Sequence, residues 1–496
     1  MESNIVSSPL SHTPLQQSRP SRSESVGDTE RALNDVLEDI PLGVFHYRLL
    51  AICGMSFMSD AMEVSLLSFM STCVGIEWDL KDHEIALIAA LVFAGILMGS
   101  LFWGPVADIY GRKLSFIWGA AIIIVGGFAS ALVQNYTSLV IFRALVGFGV
   151  GGITVPFDLL AEFMPKSHRG QFLMYIEYFW TLGSMFVAAA AWICLSVYGW
   201  RVLTFVTAIP VTISLVFSII YLPESPRWLL VQGRTKEAED IVKLAASVNG
   251  HWLSEFTLKP TVEEEAEKEV SVLEFLKPEH IQITLPLWVV WLGFGFTYYG
   301  VILFVARLFQ HEGDDDDNPT CDFNYDEIFV SAVAEVVGVS LTAFVIDRWG
   351  RVGTQSSLYI GAGIAVLCMG LQLPGSALTA VSIVARFTAM GAASATWVAT
   401  PELYDTKMRA TAHAVANSIS HLGGFLCPFL IDSTRVSDTT IGIIMAAVNI
   451  TAGVCVLFLP ETLGADLDSG IPRTKMSLQM KRTMLRFNAA STHDRI

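Results

Sequence analysis

The stretch Gly104-Pro-Val-Ala-Asp108-Ile-Tyr-Gly111-Arg112-Lys113 lies where one long apolar run ends and the next begins. Its centre, Asp108-x-x-Gly111-Arg112, returns later in the chain as Asp347-x-x-Gly350-Arg351, again between two apolar runs. Further landmarks repeat on either side. Arg143, which opens a Gly-rich segment, is matched by Arg386 before a run of small residues. Glu162 followed by Arg169 is matched by Glu402 followed by Arg409, and Leu222-Pro-Glu224 by Leu459-Pro-Glu461. The four pairs keep their order and lie about 240 residues apart, and self-similarity at a fixed period marks an internal duplication. One D-x-x-G-R alone carries little weight; the ordered set carries a great deal.

Composition says what was duplicated. The chain has 496 residues, 53% hydrophobic and only 16% charged, with a mean hydropathy of +0.52. Soluble chains are about a quarter charged. Apolar runs near the ~20 residues needed to cross a bilayer follow one another from His46 to Leu459. Read between polar breaks, they predict spans at 46–74, 85–106, 114–134, 137–163, 171–197 and 202–222, then at 281–309, 326–347, 355–374, 377–400, 409–431 and 438–459. The expected fold is an all-α membrane protein, with twelve transmembrane helices in two pseudo-symmetric six-helix bundles. The expected organisation is a disordered cytoplasmic tail (1–41), a first bundle (42–222), a cytoplasmic central segment with short helices (223–280), a second bundle (281–462) and a cytoplasmic C-terminal tail (463–496). The first forty residues have no apolar core of a signal peptide.

Charge placement gives the expected orientation. Lys and Arg collect in Arg112–Lys113, Lys166–Arg169, Arg348–Arg351 and Lys407–Arg409, in both tails and in the central segment. Short cytoplasmic loops are enriched in these residues, so both termini are expected in the cytoplasm. The net charge of −16 comes largely from acidic loop runs such as Glu263–Glu269 and Asp314–Asp317, which read as solvated loops. There is no basic nucleic-acid patch. The seven Cys residues have no metal-ligand spacing; Cys73 and Cys321 both fall near the outer face, and whether they pair is left open. No cofactor and no metal are expected. No Gly-rich phosphate loop followed by Lys occurs, and no nucleophile, base and orienting group converge, so neither an ATP-driven pump nor an enzyme is indicated.

The charges inside the spans are the candidate site. Asp60 and Glu63 share one helical face of the first span. Asp158, Glu177 and Glu335 lie in the fourth, fifth and eighth. An acid at the bilayer centre costs roughly 2.5–3.5 kcal/mol on insertion scales. These groups must therefore face a bundle interior or meet the intramembrane bases Arg143 and Arg386. Asp60 or Glu63 is expected to carry a proton or sense a cationic group, with Glu177 on the same cavity. Tyr178, Trp180, Tyr298, Tyr299 and Trp397 suit a flat ring or an amine through stacking and cation–π attraction. His413 and His421 are weaker candidates for a proton path. Two similar bundles can rock around a midplane site. The repeated charges at the cytoplasmic helix ends are expected to pair across the bundles and close the inner gate.

From Leu42 to Thr462 the sequence resembles the major facilitator superfamily. Gly104–Lys113 looks like that superfamily's loop motif, and Arg143-Ala-Leu-Val-Gly-Phe-Gly-Val-Gly-Gly152 with Pro223-Glu-Ser-Pro-Arg227 looks like its sugar-porter and organic-ion branches. Met58-Ser-Asp60-Ala-Met-Glu63, Ile176-Glu177-Tyr-Phe-Trp180, Tyr298-Tyr-Gly300, Ala334-Glu335 and Thr400-Pro-Glu-Leu-Tyr404 resemble the synaptic vesicle two-related branch, which includes bacterial nicotinate transporters. The resemblance implies one cytoplasmic charge network of Asp108, Gly111, Arg112, Glu162, Arg169 and Glu224, and a counterpart of Asp347, Arg351, Glu402, Arg409 and Glu461. It also places Trp397 on the pocket. Where sugar porters carry Gln or Asn, this chain has Glu177, Trp288, Val289 and Phe294, so hexose transport is disfavoured. The implied function is alternating-access transport of a small organic solute (organic cation, zwitterion or aromatic carboxylate), with proton coupling, by a monomer in the plasma membrane or a vesicle. A modified sugar as substrate, or a non-transporting sensor or vesicle protein on the same fold, stays open.

Overall fold

The computed structural model describes residues 30–259, 272–312, 319–371, 373–404 and 406–463. A backbone surrounded by lipid must satisfy its polar groups internally, and here it does so as helix. The first half contains α1 (Val44–Glu77), α2 (Asp82–Tyr110) and α3 (Arg112–Leu132). Next comes α4, which runs over Tyr136–Val150, tightens into a 3-10 turn at Gly151–Ile153 and continues as Thr154–Phe163. The helical run Lys166–Tyr221 is broken at Gly199, whose φ of 77° lies in the left-handed region, and so supplies two spans, α5 (166–198) and α6 (200–221). The second half contains α7 (Ile281–Leu308), α8 (Tyr325–Trp349), α9 (Arg351–Met369), α10 (Gly375–Ala399, extended by a 3-10 turn at Thr400–Leu403), α11 (Thr406–Ile431) and α12 (Asp438–Val456). With the broken run counted twice, the described residues form two sets of six membrane-spanning helices.

Within the halves, α1 packs along α5 and α6, α2 along α4, α7 along α11 and α9 along α12. The halves meet where α2 lies on α11, α5 on α8 and α1 on α7. The outward faces carry bare apolar side chains such as Ile193, Val197, Phe344 and Ile364, which suit a hydrocarbon solvent. Every charged side chain at mid-span in α1, α5, α8 and the two Arg-bearing helices α4 and α10 is instead buried.

The face that carries the chain ends, here termed the terminal face, also holds the central segment. Its helices Pro226–Val231 and Thr235–Val248 lead to Asn249, whose side chain accepts from the Phe45 amide (2.8 Å) and donates to the Pro41 carbonyl (2.8 Å). The segment read as a disordered tail needs correction over its last residues. A helix at Leu33–Glu38 buries Leu33, Val36 and Leu37, and Glu30–Arg31 pairs in parallel with Thr257–Leu258. The physical reason is its apolar spacing, which gives this short helix one face to bury. Residues 1–29 and 464–496, and the acidic runs at 263–269 and 314–317, lie outside the described residues.

On the opposite face the two halves are tied together. Strand Gln310–Glu312 pairs antiparallel with Pro319–Phe323. Cys321 of this hairpin is disulfide-bonded to Cys73 of α1, with Cα atoms 4.9 Å apart. Beside it, Phe69 meets the Phe323 ring at 5.1 Å. Asp82, at the start of α2, accepts hydrogen bonds from the Thr434 amide (2.8 Å) and hydroxyl (2.7 Å) in the α11–α12 loop.

Candidate functional site

A cavity lies between the halves, near the middle of the spans. Helix α1 contributes Phe57 and Asp60, α5 Glu177 and Trp180, and α7 Phe294, Tyr298 and Tyr299. Helix α10 adds Met390, Ala393 and Trp397, and α11 adds Asn417 and His421. Seven residues singled out from the sequence as site candidates therefore share one cavity: Asp60, Glu177, Trp180, Tyr298, Tyr299, Trp397 and His421. Trp180 Nε1 donates to the Tyr298 hydroxyl across the two halves. Phe57 sits edge-on to both Trp180 and Trp397, with ring centroids at 6.2 and 5.9 Å. The Tyr299 and His421 rings are stacked with an interplanar angle of 12°.

The charges divide sharply. Glu63 faces away from the cavity and bonds Arg143 Nη1 at 2.8 Å, while Arg143 Nε donates to Ser130 at 2.9 Å. Glu335 and Arg386 form the corresponding pair in the second half, with Nη2 and Nε at 3.0 and 3.1 Å from Oε1. Both pairs are almost completely buried. Asp60 and Glu177 are 4% and 5% exposed, and among the described residues neither takes part in an ion pair. Asp60 Oδ1 has no hydrogen-bond partner at all. No Lys or Arg lines the cavity among the described residues, so its two carboxyls set its electrostatic character.

Besides Glu63 and Glu335, two more expected site residues lie off the cavity. Tyr178 points across the interface and shares a hydrogen bond with Ser340 of α8 (2.9 Å). Asp158 is exposed towards the terminal face, in the electrostatic neighbourhood of Arg112 and Glu162. Asn417 was missed by sequence reasoning because it is neutral. A signal was nevertheless present: His413, Asn417 and His421 recur every four residues on one face of α11. His413 packs edge-on to Trp397 at 4.6 Å, behind the cavity wall.

At the terminal face the repeated motifs build two matching turns. Gly111 (φ 99°) and Gly350 (φ 84°) occupy a backbone region that L side chains rarely adopt. A Cβ at either would also collide with the carboxylate of Glu224 or Glu461. That carboxylate accepts from the first amides of the next helix. Glu224 takes Arg112 N (2.8 Å) and Lys113 N (3.2 Å), and Glu461 takes Arg351 N (2.8 Å) and Val352 N (3.0 Å). A negative group at a helix N-terminus is stabilised by the unsatisfied amides and the helix dipole. Arg112 then reaches Asp108 (2.6 Å) and Glu162 (3.6 Å), and Arg351 reaches Asp347 (2.8 Å) and grips Glu402 with two nitrogens (2.8 and 2.9 Å).

One expectation about these charges is corrected. The ion pairs of Arg112 and Arg351 close within each half, not between halves, because each Arg, at the start of one helix, is held by a Glu at the end of the next helix of its own repeat. Arg169 and Arg409, expected in the networks, turn back to the carbonyls of Met164 (3.3 Å) and Pro401 (2.7 Å).

Two six-helix halves meeting around a buried cavity, each with a glycine turn capped by a distant carboxylate, define a transporter of the major facilitator type and not an enzyme. The model of the "Sugar (and other) transporter" family matches residues 44–470, and the chain belongs to that family. It is 32% identical over 491 residues to organic cation/carnitine transporter 7 of Arabidopsis thaliana, covering 90% of this chain and 98% of that one. Synaptic vesicle 2-related protein of Xenopus laevis is 31% identical over 470 residues, covering 89% and 83%. The niacin transporter NiaP of Acinetobacter baylyi is 27% identical over 442 residues, covering 87% and 98%. Among solved structures, the partially occluded inward-open xylose transporter XylE from E. coli shares the fold with a TM-score of 0.69 at 17% identity, covering 85% of this chain and all of that one.

Proposed function

We propose that this protein carries a small organic cation or zwitterion across the membrane by alternating access, with Asp60 as the proton-carrying group. The observation that carries the reading is the cavity's charge balance: two buried carboxyls, Asp60 and Glu177, among aromatic rings and with no Lys or Arg among the described lining residues. An anionic solute would find no counter-charge there. A cationic head would find both a carboxylate and ring faces, and cation–π attraction strengthens once water is excluded. An aromatic carboxylate fits only together with a proton, which Asp60 can supply. The names of the relatives, an organic cation/carnitine transporter and a niacin transporter, point to the same chemical range.

The mechanism follows from where the halves touch. The disulfide, the Asp82–Thr434 bonds and the Phe69–Phe323 contact hold them together on the face away from the termini. The charge networks of the terminal face leave each half free to move as a unit. By the Lys and Arg bias, the terminal face is cytoplasmic. Rocking about the mid-membrane cavity then exposes Asp60 and Glu177 to each side in turn, in a monomer of the plasma membrane or a vesicle.

The test is uptake into proteoliposomes of a quaternary ammonium carboxylate, a primary aromatic amine, nicotinate and xylose, with and without a pH gradient. Glu177→Gln is expected to weaken the preferred solute roughly 10–100-fold, the loss of one charge-assisted contact. Asp60→Asn is expected to remove the response to the pH gradient while the protein remains folded. Unchanged uptake and an unchanged pH response in both variants overturn the proposal, as does a preference for xylose over all three nitrogen compounds.

A further inference from the structure

Asp60 borders a second cavity that the central site does not use. It lies inside the first half, behind α1, between α3 and α4. Its polar groups are Asp60 itself and the hydroxyls of Ser56, Ser59 and Ser115. Two of these hydroxyls have spent their only proton. Ser59 donates to the Met55 carbonyl and Ser115 to the Gly111 carbonyl, both at 2.8 Å. A hydroxyl in that state turns only lone pairs towards its remaining neighbours. Asp60, 4% exposed, has Oδ1 without any partner.

The backbone adds to this. The wall formed by Gly149 and Gly152 is the place where α4 loses its regular pitch and passes through the 3-10 turn Gly151–Ile153. Tightened or unwound helix within a membrane leaves carbonyl oxygens less fully committed, and such oxygens coordinate ions in other transport folds. The described lining contains no basic side chain. Nearby charges are already matched or lie elsewhere: Glu63 is ion-paired to Arg143, and Glu177 lines the central cavity.

From this lining of oxygen ligands, in which two hydroxyls offer only lone pairs, we infer that the cavity behind Asp60 is a binding site for a monovalent metal cation, with sodium the ion it takes. Hard cations prefer oxygen ligands. A single carboxylate balances one positive charge, and a divalent ion would leave an uncompensated charge in the hydrocarbon layer, where charge is expensive. The inference rests on the reading of Asp60 as the coupling acid and deepens it. Sodium on the carboxylate excludes the proton, so the bound cation and the proton are alternatives at one group shared by two cavities.

The experiment needs no transported solute, so its failure is separate from failure of the transport reading. Purified full-length protein in detergent is heated at fixed pH and ionic strength in sodium, potassium or N-methylglucamine chloride. Sodium is expected to raise the unfolding midpoint saturably by about 1–3 °C over the other two, the size a ligand well above its Kd produces in a large chain. Asp60→Asn is expected to remove the increment, and Ser59→Ala with Ser115→Ala to shift its half-saturation at least tenfold. Sodium-22 equilibrium binding to the serine variant gives a second readout should the Asn variant fold poorly. Equal midpoints in sodium and potassium overturn the inference. So does a sodium increment retained in Asp60→Asn, or half-saturation and sodium-22 binding unaltered in the serine variant.

Discussion

The two halves descend from one repeat, yet they have kept different things. Each places one buried Glu–Arg pair between neighbouring helices, Glu63 with Arg143 and Glu335 with Arg386. Each carries the same glycine turn capped by a distant glutamate. The central cavity is unequal. The first half supplies both unpaired acids, Asp60 and Glu177, while the second supplies Tyr298, Tyr299, Trp397, Asn417 and His421. The duplication preserved the frame and divided the chemistry: both acids, with Phe57 and Trp180, on one side of the solute, and rings with neutral polar groups on the other.

The largest expected effect breaks the part the halves share. Arg386→Met leaves Glu335 as an unmatched charge at full burial, and removing one partner of a buried pair costs about 3–5 kcal/mol. Arg143→Met should do the same to Glu63. The expected outcome is a large loss of monodisperse protein in both variants, substantially restored in the doubly neutral Glu335→Gln/Arg386→Met. If Arg143→Met is tolerated while Arg386→Met is not, the first-half pair belongs to the moving chemistry and not to the frame.

Next in size is the covalent tie between halves. The Cys73–Cys321 bond closes a loop of 248 residues, and disulfides contribute about 2–4 kcal/mol. Cys321→Ser should lower the unfolding midpoint and make it insensitive to reductant, whereas the wild-type midpoint falls when reductant is added. A wild-type midpoint indifferent to reductant would show that the halves are held by packing alone.

The glycine turns come third. Gly111→Ala and Gly350→Ala force φ values of 99° and 84° on a residue with a Cβ, at about 1–2 kcal/mol, and push that Cβ into the capping carboxylate. The two losses in thermal stability should be alike. A clear inequality would mean that the frame, too, has diverged.

The depth at which the sequence could be read follows the same division. The frame was legible because it is periodic and repeated: apolar runs of bilayer length, and charged landmarks in constant order. The break at Gly199 was legible as a polar gap between runs, although one non-helical residue is all that separates the two helices. Asp60, Glu177 and the aromatic group could be placed on a cavity because charge in a membrane must face inward. Direction around a helix was harder. Residues three apart differ by about 60° of helical rotation, which suffices to send Asp60 to the cavity and Glu63 to Arg143. Tyr178 and Trp180, two residues and about 160° apart, point opposite ways, the former meeting Ser340. Asp158 was misjudged because it lies in the last turns of α4, close to Arg112 and Glu162 of the terminal face. Asn417 escaped because a neutral amide in a membrane raises no alarm.

The smallest effect sharpens the comparison most. Arg351 holds Glu402 with two nitrogens at 2.8 and 2.9 Å, whereas Arg112 approaches Glu162 through one at 3.6 Å. A two-pronged guanidinium–carboxylate contact is stronger and more directional than a single long one. Both sites are partly solvated, which keeps each contribution small, and Arg351→Ala should therefore cost only about 1 kcal/mol more than Arg112→Ala in thermal unfolding. The alternative arrangement of the cycle predicts something measurable. If the looser contact is a consequence of the present conformation, a solute or ion that moves the first half should tighten Arg112 onto Glu162 and enlarge the cost of Arg112→Ala. The difference between the two variants would then shrink when ligand is bound. A difference that stays fixed with and without ligand assigns the asymmetry to the resting frame.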